Sequence, residues 1–165
     1  MSYLFIGLGA NLTPIGYRNP RDGCEAALVA LEEEGIILDR VSNWYETAPV
    51  PISDQPWYLN AVALAKTSCD AAMTLAALHR IETRFGRVRG IRNGARVLDM
   101  DLLDFDGKQN RNLSLTLPHP RMHQRAFVLL PLRELSPRWF HPVSGKSVDD
   151  LIAQLPPSQK IRLAV

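Results

Sequence analysis

A chain of 165 residues is ample for one domain and short for two, and 46% hydrophobic with 22% charged residues is the balance of a folded globular protein. A formal net charge of +2 at pH 7 excludes a role resting on bulk electrostatics, such as coating a nucleic acid or an anionic membrane. Cys24 and Cys69 lack Cys-x-x-Cys or histidine spacing and read as thiols in a reducing compartment.

The apolar start is interrupted too soon, at Gly7 and Gly9, for a signal peptide, and no run approaches the roughly 18 apolar residues of a membrane span. A single cytoplasmic domain over residues 1–165 is expected. Tyr3 to Gly9 predicts a buried first strand. Gly7-Leu8-Gly9-Ala10-Asn11-Leu12 begins like a dinucleotide fingerprint, but Leu12 stands where the third glycine belongs and Thr13-Pro14-Ile15-Gly16 reads as a loop, so that reading is discarded. Asn19-Pro20 predicts a helix start with proline at the first helical position. That helix carries Cys24, Ala27, Leu28 and Leu31 on one stripe and stops near Gly35; Glu32, Glu33 and Glu34 lie at the wrong end of its dipole, so the last turn is expected to fray.

Ile36 to Glu46 predicts a second strand, followed by a proline-punctuated loop from Thr47 to Pro56 of the kind that serves as a lid or binding segment. Trp57 to Ala65 predicts a third strand with Tyr58, Asn60, Val62 and Leu64 on one face. A buried amide costs several kcal/mol without a hydrogen bond, so Asn60 needs a partner, in the protein or in a ligand. Asp70 caps a second helix with Leu75, Leu78, Ile81 and Phe85 inward. Beyond it lie a short hairpin around Gly107 and Asn110, a rigid turn Leu117-Pro118-His119-Pro120, and helices over Gln124–Leu135 and Val148–Leu155. The order β-α-β-β-α-β is that of an α+β ferredoxin-like sandwich: an antiparallel sheet with two helices packed on one face and a short C-terminal extension.

Chemistry concentrates between Gly86 and Leu103. Leu98, Met100 and Leu102 alternate with Asp99 and Asp101, and in a strand this puts both carboxylates on one face. Side chains two apart in a strand are roughly 6–7 Å apart, and two like charges there repel by about 2–3 kcal/mol at an effective dielectric near 20. Such a pair is tolerated if it is solvated, shares a proton, or holds a cation. Three glycines and four arginines fall between Gly86 and Arg96, directly before that strand. Arginines bind phosphate bidentately, and two carboxylates suit Mg²⁺, so the combination points to phosphoryl or pyrophosphoryl transfer from a nucleotide. His119, with Arg121 and Arg125, reads as a further phosphate-contacting corner; Pro120 argues against a zinc pair of His119 and His123 on one helix. Ser144-Gly145-Lys146-Ser147 imitates the end of a P-loop, but Phe140 occupies the first glycine's place, so it reads as a surface turn.

These segments resemble the 6-hydroxymethyl-7,8-dihydropterin pyrophosphokinases of the folate pathway. The matching pieces are Gly9-Ala10-Asn11-Leu12, Asp54-Gln55-Pro56-Trp57-Tyr58-Leu59-Asn60, Ile81-Glu82, Gly86-Arg87-Val88-Arg89, Gly94 to Leu103, Leu117 to Met122, Arg125-Ala126-Phe127 and Pro131-Leu132. The resemblance implies diphosphate transfer from ATP to the hydroxymethyl group of the dihydropterin, releasing AMP. It implies two Mg²⁺ held by Asp99 and Asp101, with Asp99 also near the pterin, and catalytic roles for Arg87, Arg96, Asp99 and Asp101. Glu82, Arg87, Arg89, Arg96, Leu102, Thr116, His119 and Arg125 would line the ATP side. Thr47, Val50, Tyr58, Asn60, Asp99 and Phe127 would meet the pterin. Partners would be ATP and the dihydropterin, with no nucleic acid or membrane, and a monomer is expected. The chain departs from the family at Asn93-Gly94-Ala95-Arg96, where members commonly carry Trp-Gly-Pro-Arg and one more residue, at Ala48 within Thr47-Ala48-Pro49, and at Ser114, where many carry an arginine that Arg111 or Arg121 would replace. The rival is a single-stranded nucleic-acid-binding module on the same sandwich, against which Asp99 and Asp101 weigh because they repel phosphate without a metal.

Overall fold

The computed structural model describes residues 1–49, 51–87 and 95–165. Strand β1 (Ser2–Ala10) lies inside the main sheet, antiparallel to β4 (Tyr58–Thr67) on one side and to β5 (Asp99–Phe105) on the other. β4 continues to β3 (Tyr45–Thr47), which pairs with β8 (Ile161–Leu163), and β4 also pairs with β2 (Ile36–Val41). The second strand expected over Ile36 to Glu46 is thus two strands on one partner. Register slips between Leu38 and Arg40, and the chain leaves the ladder near Ser42 so that Trp44 enters the core. β8 escaped the sequence reading because three residues with an exposed Arg162 carry no usable alternation.

The two faces of β1 are buried in different cores. Leu4, Ile6, Leu8 and Ala10 pack with α1 (Pro20–Ala30) and α2 (Ala71–Arg84). Phe5, with Val62 and Leu103, packs against Val128, Leu129, Leu132 and Leu135 of α3 (Ala126–Leu135), which α4 (Val148–Ala153) supports. The two helices expected on one face, α1 and α2, are there; the molecule has a third layer because α3, in the C-terminal part, is apolar enough to cover the second face. The βαββαβ order is present with its second strand divided into β2 and β3. A small hairpin, β6 (Asn110–Asn112) and β7 (Leu115–Leu117), stands beside β5.

Local chemistry explains the ends of these elements. Asn19 Oδ1 accepts from Asp22 N at 2.8 Å and Asp70 Oδ1 from Met73 N at 2.7 Å, the two N-caps. Glu32–Glu34 do not fray; they tighten into a 3₁₀ turn closed by Gly35 at φ 80°, and Glu33 and Glu34 pair with Arg84 and Arg80 of α2 at 2.8 and 2.7 Å. Ser144 to Ser147 is the surface turn expected, and Ser147 Oγ caps α4 by accepting from Asp150 N. In β5 the register shifts opposite Phe5 and Ile6, leaving Leu103 as an extra residue, so that Leu103 and Asp104 both face α3. No helix among the described residues is long and apolar enough to cross a membrane.

Candidate active site

The carboxylate pair sits where the second face of the sheet is not covered by α3. Register places Asp99 opposite Gly9 and Asp101 opposite Gly7, and Gly9 in turn opposite Asn60. Directly paired residues share a face, so Asp99, Gly9 and Asn60 form a row whose floor is backbone. A Cβ on Gly9 would lie 2.8 Å from Asn60 Nδ2, so glycine alone leaves that amide its place. Asn60 is buried; its Oδ1 accepts from Thr47 Oγ1 at 2.7 Å and its Nδ2 donates to Leu8 O at 3.4 Å, which supplies the partners a buried amide needs.

On the opposite side of Asp99, α2 ends at Arg84 and the chain turns back at Gly86, whose φ is 95°. Arg87 N then donates to Glu82 O at 3.1 Å, folding Arg87 back over the helix end. Its Nη1 lies 2.5 Å from Asp99 Oδ1 and also donates to Glu82 Oε2. Glu82, 1% exposed, accepts from Met100 N with the same oxygen at 2.9 Å, so helix, strand and arginine meet on one buried carboxylate.

Asp101 has a weaker cationic neighbourhood. His119 Nε2 is 3.9 Å and Arg125 Nη1 is 3.8 Å from Asp101 Oδ2. His119 is held by its own N–H, which donates to Leu103 O at 2.8 Å, and its Nδ1 accepts from Arg121 N at 3.2 Å, which places the ring proton on Nε2. Burial, and then the charge of Arg125, pulls the His119 pKa down to about 4, so the ring is neutral near pH 7. Burial, and then Asp99, pushes the Asp101 carboxyl up to about 7. A carboxylate held short of ionisation beside another that engages a guanidinium is a donor set that a divalent cation suits. Among the described residues no group of three or more His, Cys, Asp or Glu could hold a metal; a pair of carboxylates is the share of ligands that Mg²⁺ commonly takes from a protein, the rest being water and phosphate oxygens.

Beside the pair opens a cleft of about 260 Å³. Glu82, Arg87, Leu102, Thr116 and His119, five residues expected on the ATP side, line it together with Asp101, expected to hold metal. Arg125, not itself among the lining residues, stands beside Asp101 with its guanidinium 5.3 Å from the Phe127 ring centroid. Tyr58 OH donates to Gln55 Oε1 at 3.2 Å, at the far end of the Asn60 row. Arg96 lies just before β5, its Nη1 donating to Ala95 O at 3.2 Å; burial raises the Tyr58 pKa, and the charges of Arg96 and Asp99 act on it in opposite directions. Val50 and Arg89 lie outside the described residues. Sequence reasoning missed His79, which lines the cleft; Leu75 packs against the core as expected and lines the cleft as well. The signal was present: Leu75, His79 and Glu82 share one ridge of α2 by their four- and three-residue spacing. It also assigned no role to Asn11. A second hollow, about 310 Å³ beside Arg21, Trp44 and Leu163, holds no carboxylate.

Paired carboxylates on an open sheet face, with arginines and a neutral histidine close by and a cleft beside them, are the kind of arrangement found in enzymes that transfer phosphate groups. Residues 5–137 match the model of the family described as 7,8-dihydro-6-hydroxymethylpterin-pyrophosphokinase (HPPK), and the chain belongs to that family. It is 39% identical over 150 residues to a 2-amino-4-hydroxy-6-hydroxymethyldihydropteridine pyrophosphokinase of Synechocystis sp., covering 91% of this chain and 74% of the relative. It is 36% identical over 160 residues to the protein of the same name from Haemophilus influenzae, covering 96% of each. The fold is that of the Plasmodium falciparum HPPK-DHPS crystal structure with pteroate, at a TM-score of 0.69 and 14% identity; the match spans 93% of this chain and 44% of that one.

Proposed function

We propose that this cleft is where the chain, a pyrophosphokinase by family, moves the diphosphate of ATP onto the hydroxymethyl group of 6-hydroxymethyl-7,8-dihydropterin. The observation that carries the reading is the row itself: Asp99 stands between the Glu82–His119 cleft on one side and the Gly9–Asn60 floor on the other. ATP lies in the cleft, against Glu82, Leu102, Thr116, His119 and Arg125, and the pterin lies over Gly9 with Asn60 and Thr47 at its edge and Tyr58 and Phe127 at its ring. Asp99 and Asp101 would hold two Mg²⁺, which supply charge neutralisation across the triphosphate and lower the pKa of the attacking hydroxyl. The hydroxymethyl oxygen forms a bond to the β-phosphorus, the bond from that phosphorus to the oxygen retained by AMP breaks, and the hydroxyl proton is released to solvent. Alignment and charge neutralisation are most of what such a transfer asks of a protein. Arg87 and Arg96 supply positive charge to the phosphates, and the neutral His119 offers an N–H to a phosphate oxygen without competing with the cation for Asp101. We place this activity in a cytoplasmic monomer that needs neither nucleic acid nor membrane.

The test is AMP release measured with ATP and Mg²⁺, with the pterin present and absent. AMP formation that requires both supports the reading. Full activity in the Asp99→Ala, Asp101→Ala double variant, or AMP release that ignores the pterin, overturns it.

A further inference from the structure

One buried side chain ties together the segments that lead into both halves of the site. Asn11 follows β1 directly and is 4% exposed. Its Oδ1 accepts from Arg96 N at 2.8 Å, and its own N–H and that of Leu12 both donate to Arg96 O at 2.9 Å. Its Nδ2 donates to Gln55 Oε1 and to Pro56 O, each at 2.9 Å. Arg96 lies three residues before Asp99 on β5, and Pro56 lies two before Tyr58 on β4. The amide orientation is set by its partners, an N–H facing the oxygen and two oxygens facing the nitrogen, and every polar hydrogen of the group is used. Aspartate would lose both donations, and a longer glutamine would not reach the same three partners.

We propose that Asn11 is a positioning residue that couples the two ligands, so that the placement of Gln55 and Pro56 beside the pterin also sets the start of β5, where Arg96 and the carboxylate pair meet the nucleotide. The inference rests on the ligand placement given above. Neither ligand touches Asn11; the coupling passes through a single amide that both segments share. Coupling between two sites is reciprocal and commonly amounts to 5- to 150-fold in affinity.

The experiment measures binding of 6-hydroxymethylpterin to the full chain by calorimetry, with and without Mg²⁺ and α,β-methylene-ATP, whose methylene bridge blocks transfer. In the unaltered protein the nucleotide analogue tightens pterin binding at least fivefold. In Asn11→Asp, which keeps the acceptor for Arg96 N and loses the donors to Gln55 and Pro56, each ligand alone binds within about twofold of normal while the enhancement falls to near one. Gln55→Ala, which removes one of the two loop partners from half-buried Gln55, lowers the enhancement by a smaller factor and serves if the first variant does not fold. Enhancement unchanged in both variants overturns the coupling role, and so does an equal weakening of both ligands with the enhancement retained, which marks Asn11 as structural. If the unaltered protein binds neither ligand, the placement of the ligands itself is wrong, a result distinct from loss of coupling alone.

Discussion

Nη1 of Arg87 lies 2.5 Å from Oδ1 of Asp99, so a guanidinium stands at the carboxylate assigned to the metal. Cation and arginine compete for the same oxygen. Arg87→Ala is therefore expected to bind Mn²⁺, measured by electron paramagnetic resonance without nucleotide, more tightly than the unaltered chain, by roughly three- to tenfold for a partly exposed pair. The same variant should lose kcat by at least about a hundredfold, because the arginine is then missing from the phosphates. Weaker Mn²⁺ binding in Arg87→Ala would show that the arginine supports the metal site instead of occupying it.

Asp101 predicts a pH dependence of cation binding. Its carboxyl is raised from an ordinary 3.8 to about 7, so between these values the folded chain holds a proton that the unfolded chain has lost. The stability this group contributes is full below pH 3.8 and is lost as pH rises through about 7. A cation must expel that proton. Mg²⁺ affinity should be level above pH 7 and fall by up to about tenfold per pH unit below it, with proton release visible as a buffer-dependent calorimetric heat. Affinity that is flat from about pH 6 to 8, with no buffer dependence, would place the two carboxylates in a more open setting.

Gly9→Ala separates the two ligands. The new Cβ falls 2.8 Å from Asn60 Nδ2, and the amide must move away from Thr47 and Leu8. The expected result is a pterin KM raised at least about tenfold with the ATP KM within about twofold, and a loss of about 1–3 kcal/mol in stability from overpacking. A uniform fall in kcat with both KM values unchanged would contradict the row described across β5, β1 and β4.

Cys24 and Cys69 should behave differently towards a thiol reagent. Cys24 is fully buried, and burial, and then Glu25, pushes its pKa from 9.0 up to about 12, whereas Cys69 is half-buried. The native chain is expected to react at Cys69 alone, with Cys24 appearing only on denaturation. Because the raised thiol stays protonated in the fold, its contribution is intact below pH 9.0 and is lost as pH rises towards 12. Cys24→Ala should flatten the alkaline fall in stability by up to about 4 kcal/mol, measured by denaturant unfolding across that range.

What could be read from the chain before its structure follows from the range of the forces involved. The alternation around Asp99 and Asp101 and the caps at Asn19 and Asp70 are local, and each appears where its neighbours demanded. The glutamates after α1 were judged against their own helix, while the cations that hold them, Arg80 and Arg84, come from another one. Likewise, nothing within α3 says which face of the sheet it covers; that depends on Phe5, Val62 and Leu103, scattered over three strands. Asn60 illustrates the mixture: its need for partners was legible, but Thr47 as the partner, and Gly9 as the reason it fits, required the register of β1, β3 and β4.

The extra residue at Leu103 reverses the phase of β5 halfway along its length. Asp99 and Asp101 are two apart and face the same way, yet Asp104, three beyond Asp101, joins them on that face and accepts from Trp139 Nε1 at 2.8 Å. An unbroken ladder would send Asp104 into the apolar layer under α1 and α2 and turn Phe105 out of it. One inserted residue thus lets a single strand keep all three of its acids on one side of the protein, two for chemistry and one as an anchor. Deleting Leu103 would leave Asp104 opposite Phe5 on the same face, and what the protein would lose is the Leu103 side chain from the core under α3.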